Sequence, residues 1–263
     1  MKLEVVTRLP ETDACPTPIL FVHGMFYGAW CWEEHFLPYF AQSGYAAHAL
    51  SLRGHSGSEG RKLLRWTSLD NYVSDLDQVV SQLTIPPVLV GHSMGGIIIQ
   101  KYLQSHQSPA SVLLASVSPK GLLPAAMRSF LLHPLIFLKA NVTLCTYPAI
   151  GTPERSREFF FSPDIPDSKL TTYFALLQDE SYRAYWEMIL LGLFPPGPII
   201  DTPLLVLGAA NDIAISPSEI EATARRHKTQ AEFFPSMAHD MMLEARWQTV
   251  ADRILEWLNE QGL

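Results

Sequence analysis

Gly91-His92-Ser93-Met94-Gly95 stands where a short apolar run, Pro87 to Val90, gives way to an apolar helical pattern from Gly96 onward. A G-x-S-x-G pentapeptide between strand and helix is a sharp turn that presents its central side chain on a strained backbone. Small flanking residues keep the turn clear, and the helix N-terminus offers unpaired N–H groups and positive dipole to an anion formed there. Ser93 therefore reads as a nucleophile. A neutral hydroxyl needs a base, and His239 is the candidate, in the loop Ser236-Met237-Ala238-His239-Asp240 between an apolar strand and the last helix. A carboxylate must hold the imidazole in one tautomer and stabilise its charged form. Asp212 follows the run Leu204 to Leu207 and lies between nucleophile and histidine, the chain order such a turn accompanies. Asp201 falls at the wrong end of that strand, and Asp240 is expected to cap the following helix. His92, beside Ser93, cannot easily turn onto its neighbour's hydroxyl and is expected to be structural, at the pocket wall. His55 is expected to order its own glycine-rich loop. Backbone N–H groups of Met94 and Met25 are the expected donors to a developing oxyanion. Phe26 and Tyr27 are expected to face the pocket.

The elements that position these residues are legible in the apolar pattern. Runs at 18–22, 46–52, 88–90, 111–115 and 204–207 are short, and most end at glycine. Such runs predict strands buried on both faces, hence a parallel sheet. Leu69, Tyr72, Val73, Leu76, Val79, Val80 and Leu83 recur at spacings of three and four, predicting an amphipathic helix. Ile97 to Leu103 is apolar on nearly every side, as a helix behind a central strand would be. Leu243, Trp247, Val250, Ile254 and Trp257 mark a closing helix. Alternating strands and helices predict right-handed crossovers and a doubly wound α/β sheet. From about 119 to 199 the rhythm breaks into a proline- and aromatic-rich stretch. It predicts a helical cap, with helices near 124–140, 153–161, 167–178 and 180–191, on a core formed by 1–118 and 200–263.

Composition bounds the rest. The chain has 263 residues, 48% of them hydrophobic and 17% charged, with 26 acidic against 19 basic residues. That excludes disorder and argues against a nucleic-acid partner. Three scattered cysteines, Cys15, Cys31 and Cys145, suggest neither a disulfide framework nor a zinc site, and point to a cytoplasmic setting. No signal-peptide pattern opens the sequence and no apolar run approaches a membrane span, so no stable membrane insertion is expected. No histidine has metal-ligand spacing, so neither metal nor cofactor is expected.

Taken together, His23-Gly24, Leu52-Arg53-Gly54-His55-Ser56-Gly57-Ser58, Gly91-His92-Ser93-Met94-Gly95-Gly96, Gly208-Ala209-Ala210-Asn211-Asp212 and Ala238-His239-Asp240 resemble, in order, the α/β-hydrolase superfamily. Gly28-Ala29-Trp30-Cys31-Trp32 is similar to the branch holding plant methyl esterases and hydroxynitrile lyases. The resemblance implies an eight-stranded, mostly parallel sheet with the cap inserted between strands six and seven. It also implies an acyl-enzyme mechanism with Ser93, Asp212 and His239 as triad. Serine at 93 departs from haloalkane dehalogenases and epoxide hydrolases, which place Asp there. The apolar cap and Met94 point to small or medium apolar esters. A lyase, a carbon–carbon hydrolase or a perhydrolase on the same triad, or a slow-turnover ligand receptor, are the alternatives.

Overall fold

The computed structural model describes residues 1–11, 14–193, 197–198 and 201–263. Among these, one sheet has seven strands: β1 (Glu4–Arg8), β2 (Ile19–Val22), β3 (Ala47–Ser51), β4 (Val88–His92), β5 (Ser111–Leu114), β6 (Leu204–Ala209) and β7 (Ala231–Phe234). Their order is β1-β3-β2-β4-β5-β6-β7. Only β1, at the edge, runs antiparallel, against β3. The expected eighth strand is absent among the described residues. The described residues ahead of β2 form one strand, and prolines at 10, 16 and 18 remove the N–H donors that another ladder would need.

Strand alternation divides the core. Ile19 and Phe21 face one side of the sheet, packed with Trp32, Phe36 and Phe40 and with Val250 and Ile254 of the closing helix (Trp247–Glu260). Leu20 and Val22 face the other, against Leu69, Tyr72 and Leu76 of helix Leu69–Val80 and Ile97 and Ile98 of helix Met94–Tyr102. Full burial of each such side chain is worth roughly 1.5–3 kcal/mol. Ser68 begins the Leu69–Val80 helix with a reciprocal cap to Asn71.

The chain leaves β2 toward β3 on one side and returns to β4 on the other. The loops after β2 and β4 therefore diverge at their carboxyl ends, the crevice where open α/β sheets hold ligands. Between β5 and β6 the chain is helical: Leu123–Leu132, Pro134–Thr143, Pro153–Phe160, Asp167–Leu176 and Tyr182–Leu190. In the seven-strand count the insertion thus follows the fifth strand. The single helix expected over 124–140 is two. Pro134 lacks an N–H and restricts the residue before it, and His133 adopts φ −136°, ψ 63°. The expected boundary at 199–200 lies outside the described residues.

Buried polar contacts strap the later helices to the sheet. Glu180 accepts from Tyr72 Oη (2.5 Å), from the Ser181 N–H (2.6 Å) and from His55 Nε2 (3.1 Å). The Gln178 N–H donates to Phe26 O (3.0 Å), and the Asp240 N–H to Phe160 O (3.0 Å). Burial alone would raise the Glu180 pKa. The His55 charge and the hydrogen bonds from His55, Tyr72 and Ser181 outweigh it and hold the carboxyl below its ordinary value.

Candidate active site

Ser93 closes β4 and precedes the Met94–Tyr102 helix at φ 52°, ψ −113°, a backbone setting that costs a non-glycine residue about 1–3 kcal/mol. The turn tolerates no bulk around it. A Cβ on Gly95 would lie 2.2 Å from Val22 O, and one on Gly91 would lie 2.6 Å from Gly95 O. These glycines let the helix start against the end of β2, so Ser93 stands beside the loop that follows β2.

Asp212 is held at the end of the β6 loop. Its Oδ1 accepts from the N–H groups of Ala214 (2.8 Å) and Ile215 (2.9 Å). That leaves Oδ2 to accept from His239 Nδ1 at 2.7 Å. With Nδ1 donating, the neutral ring carries its lone pair on Nε2. Burial by itself would lower the His239 pKa. The Asp212 charge and hydrogen bond prevail, with a smaller contribution from Asp240, and the pKa is raised. Phe160 stacks on the ring, centroids 6.1 Å apart.

Ser93, Asp212 and His239 line one cavity of about 590 Å³, together with Met25, Phe26, Tyr27 and His92. Ser93 Oγ and His239 make no hydrogen bond to each other; contacts of this kind often tighten only on substrate. The N–H groups of Met25 and Met94 have no acceptor among the described residues. They are available to an oxyanion, and Phe26 at φ 74° turns the chain just past Met25. The remaining walls are mostly apolar and come largely from the segment between β5 and β6, Ala126, Leu132, Phe137 and Ile150 among them.

The structure gives His92 and Asp240 a shared role that the sequence does not reveal. His92 Nε2 donates to the backbone carbonyl of His239 at 3.0 Å, fixing the loop that carries the imidazole. Its Nδ1 has no partner and lies where a side chain on Gly24 would approach to 2.8 Å. Burial, then the nearby His239, holds its pKa well below the ordinary value. Asp240 does not cap the closing helix, which begins only at Trp247. It turns inward instead, and Oδ2 accepts the Tyr27 hydroxyl. Its other oxygen is unpartnered, 3.7 Å from His92 Nε2. Burial pushes this carboxyl up to about 7, against the opposing pull of His239 and Tyr27. His55 does order its loop, through the Arg53 carbonyl at 3.1 Å, and also reaches Glu180 across to the insertion.

His92, His239 and Asp240 bring potential metal-ligating atoms within 4.8 Å of one another. His92 Nε2 already donates to a carbonyl and His239 Nδ1 to Asp212, so the ring atoms that bear protons are committed to other partners. Arg128 is the one Lys or Arg among the described residues at the cavity wall, and sequence reasoning missed it. It donates to Ala214 O (2.8 Å) and Glu219 Oε2 (2.9 Å), bracing the helix Leu123–Leu132 against the Asp212 loop. A lone arginine in an otherwise apolar helix was its only signal.

Several known proteins share parts of this sequence. A non-heme chloroperoxidase of Burkholderia pyrrocinia is 32% identical over 108 residues, 39% of this chain and 38% of that protein. A pyrethroid hydrolase of Sphingobium wenxiniae is 26% identical over 111 residues, 41% of this chain and 39% of that protein. These matches span well under half of either relative. The fold matches over nearly its whole length. The monoacylglycerol lipase of Paleococcus ferrophilus superposes with a TM-score of 0.72 at 18% identity, covering 99% of this chain and 100% of that one. The family described as "Alpha/beta hydrolase family" matches residues 19–253, from the first strand of the parallel sheet into the closing helix, and this chain belongs to it.

Proposed function

We propose that this protein is a serine hydrolase of carboxylic esters with small to medium apolar groups, with Ser93, His239 and Asp212 as its catalytic triad. One observation carries the reading: a serine on a strained strand-to-helix turn shares a mostly apolar cavity with a histidine whose Nδ1 is committed to a buried carboxylate. His239 Nε2 takes the Ser93 proton as Oγ attacks the ester carbonyl. The Met25 and Met94 N–H groups stabilise the oxyanion. On collapse the alcohol leaves with the proton from His239. Water, deprotonated by the same nitrogen, then releases the acid and restores Ser93. Segment 119–199 acts as a cap that supplies the apolar walls and excludes water. A cytoplasmic setting belongs to the same proposal, on the three free thiols.

The test is fluorophosphonate labelling of the wild type and of Ser93→Ala, followed by p-nitrophenyl esters from acetate to palmitate. Labelling of the wild type alone, with cleavage at one or more chain lengths, is expected. An unlabelled wild type overturns the nucleophile, and a labelled protein that cleaves no ester overturns the substrate class. The name of the chloroperoxidase relative favours a second reading, in which hydrogen peroxide replaces water and the acyl group leaves as peracid. Peracid formation from acetate ester and peroxide, lost in Ser93→Ala, would reveal it.

A further inference from the structure

The helices Leu123–Leu132 and Pro134–Thr143 are apolar on two sides. In the second, Ile136, Phe137 and Ala140 line the Ser93 cavity, while Leu135, Leu138 and Val142, at i, i+3 and i+7, share the opposite side. That outer side is uncovered: Leu135 is 80% exposed and Val142 74%. The first helix repeats the arrangement, with Leu123, Met127 and Phe130 outward and Ala125, Ala126 and Ser129 toward the cavity. Leu131 and Leu132 are exposed and also line the cavity, so the outer apolar face runs into its mouth. A contiguous face of this kind marks an interaction site.

Charge indicates what covers it. The chain as a whole carries −7, yet no Asp or Glu occurs between Asp77 and Glu154. Lys139 sits on the outer side, one turn from Leu135, and Lys120 is exposed just ahead of the first helix. Neither forms an ion pair among the described residues; Arg128 of the first helix pairs with Glu219 on the cavity side, and Glu158 pairs with His133 at the junction of the two helices. Apolar side chains with interspersed lysine suit a negatively charged lipid surface. A second copy packed about a two-fold axis would set the lysines of both copies into one apolar interface. No helix among the described residues is long and apolar enough to cross a membrane, so contact would be peripheral.

We propose that the outer face of this helix pair docks on an anionic lipid surface, with the cavity mouth at the contact. Docking stands apart from the ester-hydrolase reading. Only its use, passage of a lipophilic ester from lipid to Ser93 without crossing water, rests on it.

The test is co-sedimentation of the full chain with vesicles of phosphatidylcholine alone or mixed with an equal part of phosphatidylglycerol. The wild type is expected to bind the mixed vesicles more strongly. Combined Leu135→Glu, Leu138→Glu and Val142→Glu is expected to lose at least about tenfold in binding, with circular dichroism and fluorophosphonate labelling unchanged. Lys139→Ala is expected to lose about fivefold on mixed vesicles and nothing on neutral ones. A wild type that binds neither vesicle overturns the proposal, as does equal binding by the triple variant. Sedimentation velocity without lipid adds a further check: self-association of the wild type that the triple variant abolishes assigns the face to a second copy and also overturns it.

Discussion

Asp240→Asn isolates the cost of a buried carboxyl beside the candidate base. The Asp240 pKa rises from 3.8 to about 7, first because burial disfavours its charged form. In the unfolded chain it titrates near its ordinary value, so between about pH 4 and 7 the folded chain holds a proton that the unfolded chain has released. Stability therefore falls as pH rises through that window. Roughly three pH units at 1.36 kcal/mol each give a loss of about 4 kcal/mol, complete above pH 7. Asparagine has nearly the same shape, can still accept the Tyr27 hydroxyl, and does not titrate. Urea unfolding at pH 8 is expected to find the variant more stable by up to about 4 kcal/mol, while at pH 4 the two agree within about 1 kcal/mol. Asp240 is also among the groups that raise His239, so the acid limb of kcat/KM is expected to move to lower pH in the variant. A variant less stable than wild type at pH 8, or a difference independent of pH, would refute the reasoning, because it would mean that Asp240 is folded in its charged form at no cost.

Four further outcomes follow from the same geometry. Asp212→Asn keeps the shape at His239 Nδ1 but removes the charge and favours the wrong tautomer, so ester turnover is expected to fall about 10⁴-fold with the fold intact; a loss below tenfold assigns the orienting role elsewhere. Ser93→Gly relieves a positive φ, and thermal unfolding is expected to show a gain of about 1 kcal/mol alongside lost fluorophosphonate labelling, whereas Gly95→Ala drives a methyl into the Val22 carbonyl and is expected to cost about 3 kcal/mol by urea titration. Glu180→Gln leaves His55 without its carboxylate: because the Glu180 pKa is lowered, its stabilisation is full above the ordinary glutamate pKa and fades as pH falls through the lower folded value, so the stability gap between wild type and variant is expected to close on acidification from pH 6 to 3 and to stay open if Glu180 is not the cause.

The strands of the parallel sheet and the placement of Ser93, Asp212 and His239 beyond strand ends were readable from the sequence because each rests on a local rule. A strand covered on both faces must be apolar throughout, and a turn as tight as Gly91–Gly95 must hold glycine where backbone approaches within van der Waals contact. The family resemblance followed from the same positions, though its eighth strand did not appear among the described residues, where Pro10, Pro16 and Pro18 withhold the N–H donors a further ladder needs. Tertiary structure decided what depends on residues far apart in the chain. Asp240 could not be told from a helix cap until Tyr27, more than two hundred positions earlier, was seen to donate to it. Glu180 looks like any acid in a polar stretch, and only packing sets it against His55 and Tyr72 away from water. The sequence pattern predicted one helix over 124–140; the split at Pro134, and with it an apolar pair of helices with one side on the cavity and the other uncovered, emerged only in the structure. Apolar residues specify that burial is favourable; which of them find a partner is settled only when the rest of the chain has taken its place.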